Sequence, residues 1–366
     1  MKKPLNVGVV GLGYWGPNLA RNFHSLGDCH LKTVCDLREE RLTHLKGLYP
    51  NVQGESDFEN LLRDPDLDAI VIATAVHTHF PLAKASLLAG KHTLIEKPLA
   101  SSSAQCEELV SIAREKGLAL MVSHTFLYSP AIKKIKEIVD SGDIGEIRYI
   151  SARRLNLGIF QKDINVAWDL APHDLAIILH ILGDRPLSVN CQGSAHITPG
   201  IEDVTTMSLQ FSNERSAIIH SSWLDPRKVR EMTIVGSKRM ILYDDVAPQE
   251  KIKIFDARVD RPPHYDTFAE FHYAYHHGDM YVPFIKQEEP LKNEAQHFID
   301  CIQNGRTPLT SGTDGTEVVR ILEASSESLK QNGAPIPIEA ESSKITALPN
   351  TTQHEQPSRA KIAANG

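Results

Sequence analysis

The chain has 366 residues, more than one ordinary domain holds, and its 41% hydrophobic and 23% charged residues are typical of a globular protein of two domains. The formal net charge of −7 argues against a nucleic-acid partner, because that function needs a basic face. No run approaches the ~20 apolar residues of a membrane span, the start at Met1 leads directly into a strand with no signal peptide, and five scattered cysteines indicate reduced thiols in a cytoplasmic protein.

The first third alternates short apolar strands with helices. We predict strands over 5–10, 31–36, 68–74, 92–96 and 118–123, and helices over 13–26, 38–48, 79–89 and 104–116. Strands that are apolar throughout are buried on both faces, as in parallel sheets covered by helices. Residues 1–125 are therefore expected to form a doubly wound parallel sheet of the Rossmann type.

After residue 125 the pattern changes to alternating strands. We predict helices over 131–140, 168–182, 294–303 and 312–331, and strands over 147–157, 188–197, 204–211, 215–223, 230–236 and 239–243. The fold class is therefore α/β: a Rossmann sheet, then an α+β domain over 126–339 with a large, mostly antiparallel sheet, whose last helix packs back on the first domain. Residues 340–366 have the composition of a disordered tail.

A glycine-rich turn follows the first strand directly. Gly11, Gly13 and Gly16 form a GxGxxG pattern, with Tyr14 and Trp15 inside it, at the start of a helix. The first glycine permits a tight turn, the second lets the backbone approach a pyrophosphate, and the third allows close packing of helix on strand. The amides of the helix N-terminus suit phosphate oxygens. This context favours a dinucleotide site over a glycine turn that binds nothing.

Asp36 ends the second predicted strand, twenty residues after Gly16. A carboxylate in this place accepts hydrogen bonds from the adenosine ribose, which favours NAD over NADP. Arg38 keeps NADP open as an alternative, because its guanidinium could pair with a 2′-phosphate or only stack on adenine.

The strand over 92–96 ends in Glu96-Lys97-Pro98. Ligands bind at the carboxyl ends of strands in open α/β sheets, so Lys97 is expected to face the nicotinamide. Pro98 restricts the backbone of the preceding residue and helps to aim the ammonium group. Taken alone, Lys97 could equally be a solvated surface lysine.

Several motifs together resemble the Gfo/Idh/MocA oxidoreductase family over residues 7–338. They are the glycine pattern, Ala73-Thr74 ahead of His79, Gly90-Lys91-His92, Glu96-Lys97-Pro98, and Asp169-Leu170-Ala171-Pro172-His173. The resemblance implies an NAD(P)-dependent dehydrogenase that acts on a sugar or another polyol. It also implies that the second domain binds substrate and that its sheet forms a homo-oligomer, a dimer or a tetramer. The family's catalytic lysine, aspartate and histidine fall on Lys97, Asp169 and His173.

Asp169 and His173 are spaced to lie on one face of a helix. A histidine can exchange a proton near neutral pH, so His173 is expected to take the proton of a substrate hydroxyl while Lys97 stabilises the charge on that oxygen. Which of the two is the formal base stays open. The alternative is that Asp169 only caps the helix and His173 is a core residue.

The segments around Arg154 and Asn165 resemble members of sugar-nucleotide pathways, including UDP-N-acetylglucosamine 3-dehydrogenases. The chain departs from the commoner family pattern at Ala171 and over 124–128. The predicted substrate-binding residues are Lys97, Tyr128, Arg154, Asn156, Asn165, Trp168, Asp169 and His173. The predicted cofactor-binding residues are Gly11, Gly13, Tyr14, Trp15, Gly16, Asp36, Arg38, Thr74, His79, Glu96 and Lys97.

No metal site is predicted. An aromatic and histidine cluster lacks carboxylate or cysteine partners at ligand spacing and is expected to be a loop near the substrate or a subunit contact; it comprises Tyr265, His272, Tyr273, Tyr275, His276 and His277. The leading hypothesis is oxidation of a secondary hydroxyl of a nucleotide sugar, at its 3-position. The alternatives are an NADP-linked keto-sugar reductase, an inositol or free-sugar dehydrogenase and, from another class, a cofactor-binding sensor without activity.

Overall fold

The computed structural model describes residues 3–260 and 273–338. Its first sheet has six parallel strands in the spatial order β3-β2-β1-β4-β5-β6. These strands are β1 (Leu5–Val10), β2 (Cys29–Cys35), β3 (Gln53–Glu55), β4 (Ala69–Ile72), β5 (His92–Glu96) and β6 (Leu120–Ser123). The strand order reverses between β1 and β4, and a parallel sheet opens a crevice at the carboxyl ends of its strands at such a point. The Rossmann sheet is thus confirmed.

Helices connect these strands. They are α1 (Gly16–His24), α2 (Glu39–Leu48), α3 (Phe58–Arg63), α4 (Val76–Leu88) and α5 (Ser103–Lys116). The expected helix over 13–26 begins only at Gly16, because the residues before it form the glycine turn. The strand β3 and the helix α3 are absent from the sequence prediction, since three and six residues are too short to show a periodic pattern.

The second sheet has nine strands in the order β14-β13-β12-β11-β7-β10-β9-β8-β15. Its elements and the two helices inserted among them are α6 (Pro130–Asp140), β7 (Ile147–Leu155), α7 (Val166–Leu182), β8 (Ser188–Ser194), β9 (Val204–Gln210), β10 (Ser216–Ser222), β11 (Val229–Gly236), β12 (Met240–Asp244), β13 (Ile252–Asp260), β14 (Ala274–Tyr281) and β15 (Ile336–Pro337). Only β7 and β10 pair in parallel; the other pairs are antiparallel, as predicted.

The sequence analysis missed the outer hairpin of this sheet. The loop expected around Tyr275, His276 and His277 is wrong, because these residues form the edge strand β14, paired with β13. The strand β14 is exposed on both faces and has no clear alternation of apolar residues, so its pattern is weak. Tyr265 and His272 lie outside the described residues, as does the predicted tail over 340–366.

Two final helices, α8 (Pro290–Asn304) and α9 (Gly312–Lys330), return to the first sheet. The helix α8 packs on α1, and α9 packs on α5 and on β8 of the second sheet. As a result, one apolar core extends from Val7 and Phe23 through Ile177 on α7 to Ile234 on β11. In the described part of the chain, no helix has the length and apolar character of a membrane crossing.

The contact between α1 and α8 predicts a large loss of stability for Phe298→Ala. Phe298 is fully buried and meets Phe23 edge to face, with ring centroids 6.4 Å apart. Removing a buried phenylalanine costs about 3–5 kcal/mol. We expect thermal unfolding to show a Tm several degrees lower than that of the wild type. Phe284→Ala is the control, because Phe284 is 90% exposed and its loss should leave the Tm unchanged.

Candidate active site

The glycine turn between β1 and α1 has the shape that its sequence predicts. Gly11 has a φ of +87°, and a Cβ there would lie 2.7 Å from the carbonyl oxygen of Ala73. A Cβ on Gly16 would lie 1.9 Å from the carbonyl oxygen of Gly11, so neither position accepts a side chain. Gly13, in contrast, has no atom closer than 4.0 Å to such a Cβ and leaves its backbone open. The turn therefore fits the approach of a pyrophosphate to the amides that begin α1.

Two aromatic residues of the same turn are exposed beside this opening. Tyr14 and Trp15 pack edge to face with ring centroids 5.2 Å apart. Trp15 is also the N-cap residue of α1, and no acidic residue lies in the first turn of that helix. The N-terminus of α1 is thus free of negative side chains that would repel a phosphate.

Asp36 follows β2 directly, at the edge where a ribose is expected. Its Oδ2 accepts hydrogen bonds from the amide of Leu12 at 2.6 Å and from Arg41 at 3.1 Å, and its Oδ1 accepts from the amide of Arg38 at 2.9 Å. Burial raises the pKa of Asp36, but these donors outweigh burial and lower the pKa below its usual value. The carboxylate is therefore ionised and can accept from ribose hydroxyls. Arg41 was missed by the sequence analysis, although it stands one helical turn beyond Arg38.

His79 contacts two of the loops at this edge of the sheet, those after β4 and β5. Its ring is buried, with Nδ1 2.9 Å from the carbonyl oxygen of Pro98 and Nε2 3.1 Å from that of Thr74. Burial lowers the pKa of His79, and a neutral ring, with its single N–H, donates to one of these two carbonyls. The histidine ties the loop after β4 to the loop after β5, while Thr74 lies against Gly11 in the turn.

Lys97 lies where the two sheets meet. Its Nζ donates to the backbone carbonyl of Asp169 on α7 at 2.7 Å and lies 3.3 Å from the Oδ1 of the same residue. The Oδ2 of Asp169 accepts a hydrogen bond of 3.0 Å from the indole nitrogen of Trp223. The structure thus brings Lys97 and Asp169 together. Trp223 was not predicted, although a buried indole N–H usually requires an acceptor.

His173 lies one turn beyond Asp169 on the same helix. The helix begins at Val166, and Asn165 caps it by accepting from the amide of Trp168, so the capping role considered for Asp169 is wrong. Burial, and then the positive charge of Lys97, lower the pKa of His173 well below its usual value. Its imidazole is therefore neutral at physiological pH, which is the form that accepts a proton.

Two arginines that face each other on neighbouring strands lie near His173, and they differ in burial and in their partners. Arg154 on β7 is buried and forms two hydrogen bonds of 2.8 Å with Asp174, so its donors already have a partner. Arg230, its neighbour on β11, is 36% exposed and pairs with Asp245 at 3.4 Å. Both guanidinium groups lie over the ring of Phe126, at 4.6 and 5.6 Å. Arg154, a predicted substrate contact, thus already forms an ion pair with Asp174, and Arg230 is the more exposed of the two arginines.

Three other predicted substrate residues form hydrogen bonds within the protein. The buried hydroxyl of Tyr128 lies 2.9 Å from that of Thr310, and the indole of Trp168 donates to Ser326 at 2.8 Å. Asn165 caps α7 and donates to Glu202 at 2.8 Å. Asn156 differs, because its amide lies beside Gly158 and thus near Trp223. Glu96, predicted to bind cofactor, points inward and accepts from the amide of Lys97 at 3.2 Å.

The fold and the site together define an oxidoreductase with an NAD-binding Rossmann domain. The family described as "Oxidoreductase family, NAD-binding Rossmann fold" matches residues 5–124, and the "GFO/IDH/MocA C-terminal domain" matches residues 132–242. The chain therefore belongs to the Gfo/Idh/MocA family.

Curated relatives of the chain include dehydrogenases. A myo-inositol 2-dehydrogenase of Thermotoga maritima is 26% identical over 348 residues, which cover 89% of this chain and 97% of that protein. A UDP-N-acetylglucosamine 3-dehydrogenase of Acidithiobacillus ferrooxidans is 27% identical over 333 residues, covering 86% and 94%.

Solved structures share the fold. The UDP-N-acetylglucosamine 3-dehydrogenase of Acidithiobacillus ferrooxidans has a TM-score of 0.76 at 24% identity, with 90% of this chain and 99% of that chain covered. An oxidoreductase from Agrobacterium radiobacter, in complex with NAD+, L-tartaric acid and magnesium, has a TM-score of 0.76 at 20% identity, with 92% and 99% covered. Within the described residues of this chain, no group of three or more histidine, cysteine or acidic side chains is placed to hold a metal ion.

The bond between Trp223 and Asp169 predicts a loss of activity for Trp223→Phe. A hydrogen bond to a charged group contributes about 1.5–3 kcal/mol, so we expect kcat to fall roughly tenfold or more as Asp169 and Lys97 lose their geometry. Steady-state kinetics with the best polyol substrate would measure the change. Trp168→Phe is the matched control, because it also removes an indole hydrogen bond, to Ser326, and should lower the Tm with little change in kcat. Equal kcat values in the two variants would contradict the prediction.

Proposed function

We propose that this protein is an NAD-dependent dehydrogenase that oxidises a secondary hydroxyl group of a nucleotide sugar, at its 3-position. One observation carries the proposal. The ammonium group of Lys97 meets the carbonyl oxygen and carboxylate of Asp169 at 2.7 and 3.3 Å, with a neutral imidazole one helical turn away. This cluster lies at the carboxyl end of β5, on the side of the sheet that holds the glycine turn.

His173, Lys97 and Asp169 have different roles at the substrate hydroxyl group. His173 is neutral, so it can accept the hydroxyl proton directly. Lys97 donates a hydrogen bond to the same oxygen and stabilises the negative charge that develops on it. Asp169 holds the ammonium in place and is itself held by Trp223. The glycine turn and Asp36 would hold NAD, and the bound cofactor would supply a hydride acceptor for the carbon that carries the hydroxyl.

The preference for a nucleotide sugar is supported by Arg230. A neutral polyol such as inositol needs no cation beside its ring, whereas a nucleotide sugar carries a diphosphate close to its sugar. Arg230 is partly exposed, and Phe126, over which its guanidinium lies, contacts His173 at a ring distance of 4.9 Å. Arginine pairs well with phosphate oxygens because of its planar set of donors. The relative that acts on UDP-N-acetylglucosamine is consistent with this substrate class.

The catalytic roles predict that Lys97→Ala and His173→Ala each lower kcat at least about a hundredfold, the usual contribution of a positioned acid–base group. NADH absorbance would be followed with UDP-N-acetylglucosamine, N-acetylglucosamine and inositols, and NMR of the product would locate the keto group. His180→Ala is the control, since His180 lies on the same helix near its C-terminal end. Wild-type turnover in both catalytic variants would reject the mechanism. NAD binding with no turnover on any polyol would favour a sensor.

The role of Arg230 predicts a substrate-dependent effect of Arg230→Ala. The KM for UDP-N-acetylglucosamine should rise about tenfold or more, the value of a charge-assisted hydrogen bond, while any activity on neutral polyols stays within about twofold. Arg153→Ala is the control, because Arg153 is 53% exposed and pairs with Glu231 across β7 and β11. An equal rise in KM for charged and neutral substrates would remove the support for a nucleotide sugar.

We also propose a homodimer or homotetramer through the second sheet. The face opposite α7 exposes Tyr149 on β7 and Ile218 on β10, at 41% and 40%. Large apolar side chains on an open sheet face are suited to a partner surface. Light scattering coupled to size-exclusion chromatography measures the subunit number directly.

A further inference from the structure

Two carboxyl groups are buried together beneath Lys97. Glu96 ends β5, and Glu294 lies on α8 with no exposed surface. The hydroxyl of Ser123 lies 3.3 Å from Oε1 of Glu96 and 3.1 Å from Oε2 of Glu294. The hydroxyl of Thr125 lies 3.0 Å from the same oxygen of Glu294. The other oxygen of Glu294 is buried with no hydrogen-bond partner in the described part of the chain.

The cluster has more oxygen–oxygen contacts than hydroxyl hydrogens, which favours an additional proton. Ser123 has a single hydroxyl hydrogen and faces two carboxyl groups. Two ionised carboxylates would compete for that hydrogen and repel each other where water is excluded. A proton on Glu294 removes the conflict, because Glu294 then donates to Ser123 and Ser123 donates to Glu96. Thr125 completes the chain by donating to Glu294.

The charges around the pair favour the same arrangement. Burial, and then the charge of Glu96, raise the pKa of Glu294 well above its usual value. Burial raises the pKa of Glu96 to about 7, and the charge of Lys97 acts in the opposite direction. Tyr128 is a further titratable side chain beside Glu294, and burial raises its pKa, so that it is neutral too. The negative charge of the cluster therefore lies on Glu96, next to Lys97.

We propose that Glu294 is a positioning residue that stays protonated and, through Ser123, holds the Glu96 carboxylate against the backbone amide of Lys97. Glu294 touches neither substrate nor cofactor. It acts through the hydrogen bond of 3.2 Å between Glu96 and the Lys97 amide, at the base of the residue that the proposed function places on the reacting oxygen. The effect on turnover rests on that proposed function, whereas the proton on Glu294 does not.

Infrared difference spectroscopy tests the proton without any turnover. The full-length wild type is compared with Glu294→Gln at slightly alkaline pH. We expect the wild type to show the carbonyl band of a protonated carboxylic acid that the variant lacks. Glu96→Gln is the matched control and should remove a carboxylate band instead. If Glu294→Gln removes a carboxylate band and no acid band, the proposal is overturned.

Kinetics test the positioning role. Glu294→Gln keeps a donor for Ser123 and an acceptor for Thr125, so kcat should stay within about twofold of the wild type. Glu294→Leu removes both, and kcat should fall roughly tenfold with an unchanged KM for NAD. Phe298→Ala, on the same helix, separates stability from activity, since it lowers the Tm and should leave the kcat of the folded protein intact. A folded Glu294→Leu with wild-type kcat overturns the proposal.

Ser123→Ala provides a second test that does not depend on the folding of Glu294→Leu. The hydroxyl of Ser123 lowers the pKa of Glu96, so its removal should raise that pKa. Because the ionised form of Glu96 holds Lys97, the acid-side decline of kcat, expected near pH 7, should move to higher pH in Ser123→Ala. It should stay in place in Glu294→Gln. If the acid-side decline of kcat does not move in Ser123→Ala, the proposed role of the hydrogen bonds from Glu294 through Ser123 to Glu96 is overturned. If the proposed function is wrong, neither the wild type nor any variant should turn over the substrate, and the infrared result is unaffected.

Discussion

The contact between Lys97 and Asp169 joins the two halves of this protein at the point where chemistry is expected. Lys97 comes from the edge of the parallel sheet, and Asp169 comes from the helix that lies against the antiparallel sheet. The ammonium binds both a backbone carbonyl and a carboxylate of the same residue, so its position depends on the helix itself as well as on one side chain. Trp223 then holds the carboxylate from the second sheet. The two sheets therefore meet at this contact.

Burial acts on the neighbouring acid and base in opposite directions. Because it disfavours charge, it lowers the pKa of His173 and raises the pKa values of Glu96 and Glu294. The imidazole is thereby kept free of a proton and Glu294 keeps one, while Lys97 and Asp169 stay paired. A single physical cause, burial, thus favours the neutral form of both an acid and a base around Lys97.

The sequence patterns predicted those features that local geometry dictates. The glycine turn was predictable because Gly11 and Gly16 leave no space for a Cβ, and Lys97 because strand ends gather at one edge of a parallel sheet. Side-chain partners were harder to predict, since Trp223 and Glu294 are far from Asp169 and Glu96 in the sequence and meet them only after folding. Arg154 and Arg230 show the same limit. Both are arginines on strands, and only the three-dimensional structure shows that Asp174 neutralises one and leaves the other accessible.

The return of the last two helices to the first sheet has a consequence for biosynthesis. Phe298 on α8 covers Phe23, and α9 lies on α5, so parts of the Rossmann unit are completed by residues that are translated after the second sheet. Domains generally fold as they leave the ribosome, from the N-terminus onward. Here the nascent Rossmann unit exposes apolar surface on α1 and α5 until α8 and α9 have emerged. It follows that the N-terminal unit expressed without its C-terminal helices is prone to aggregate.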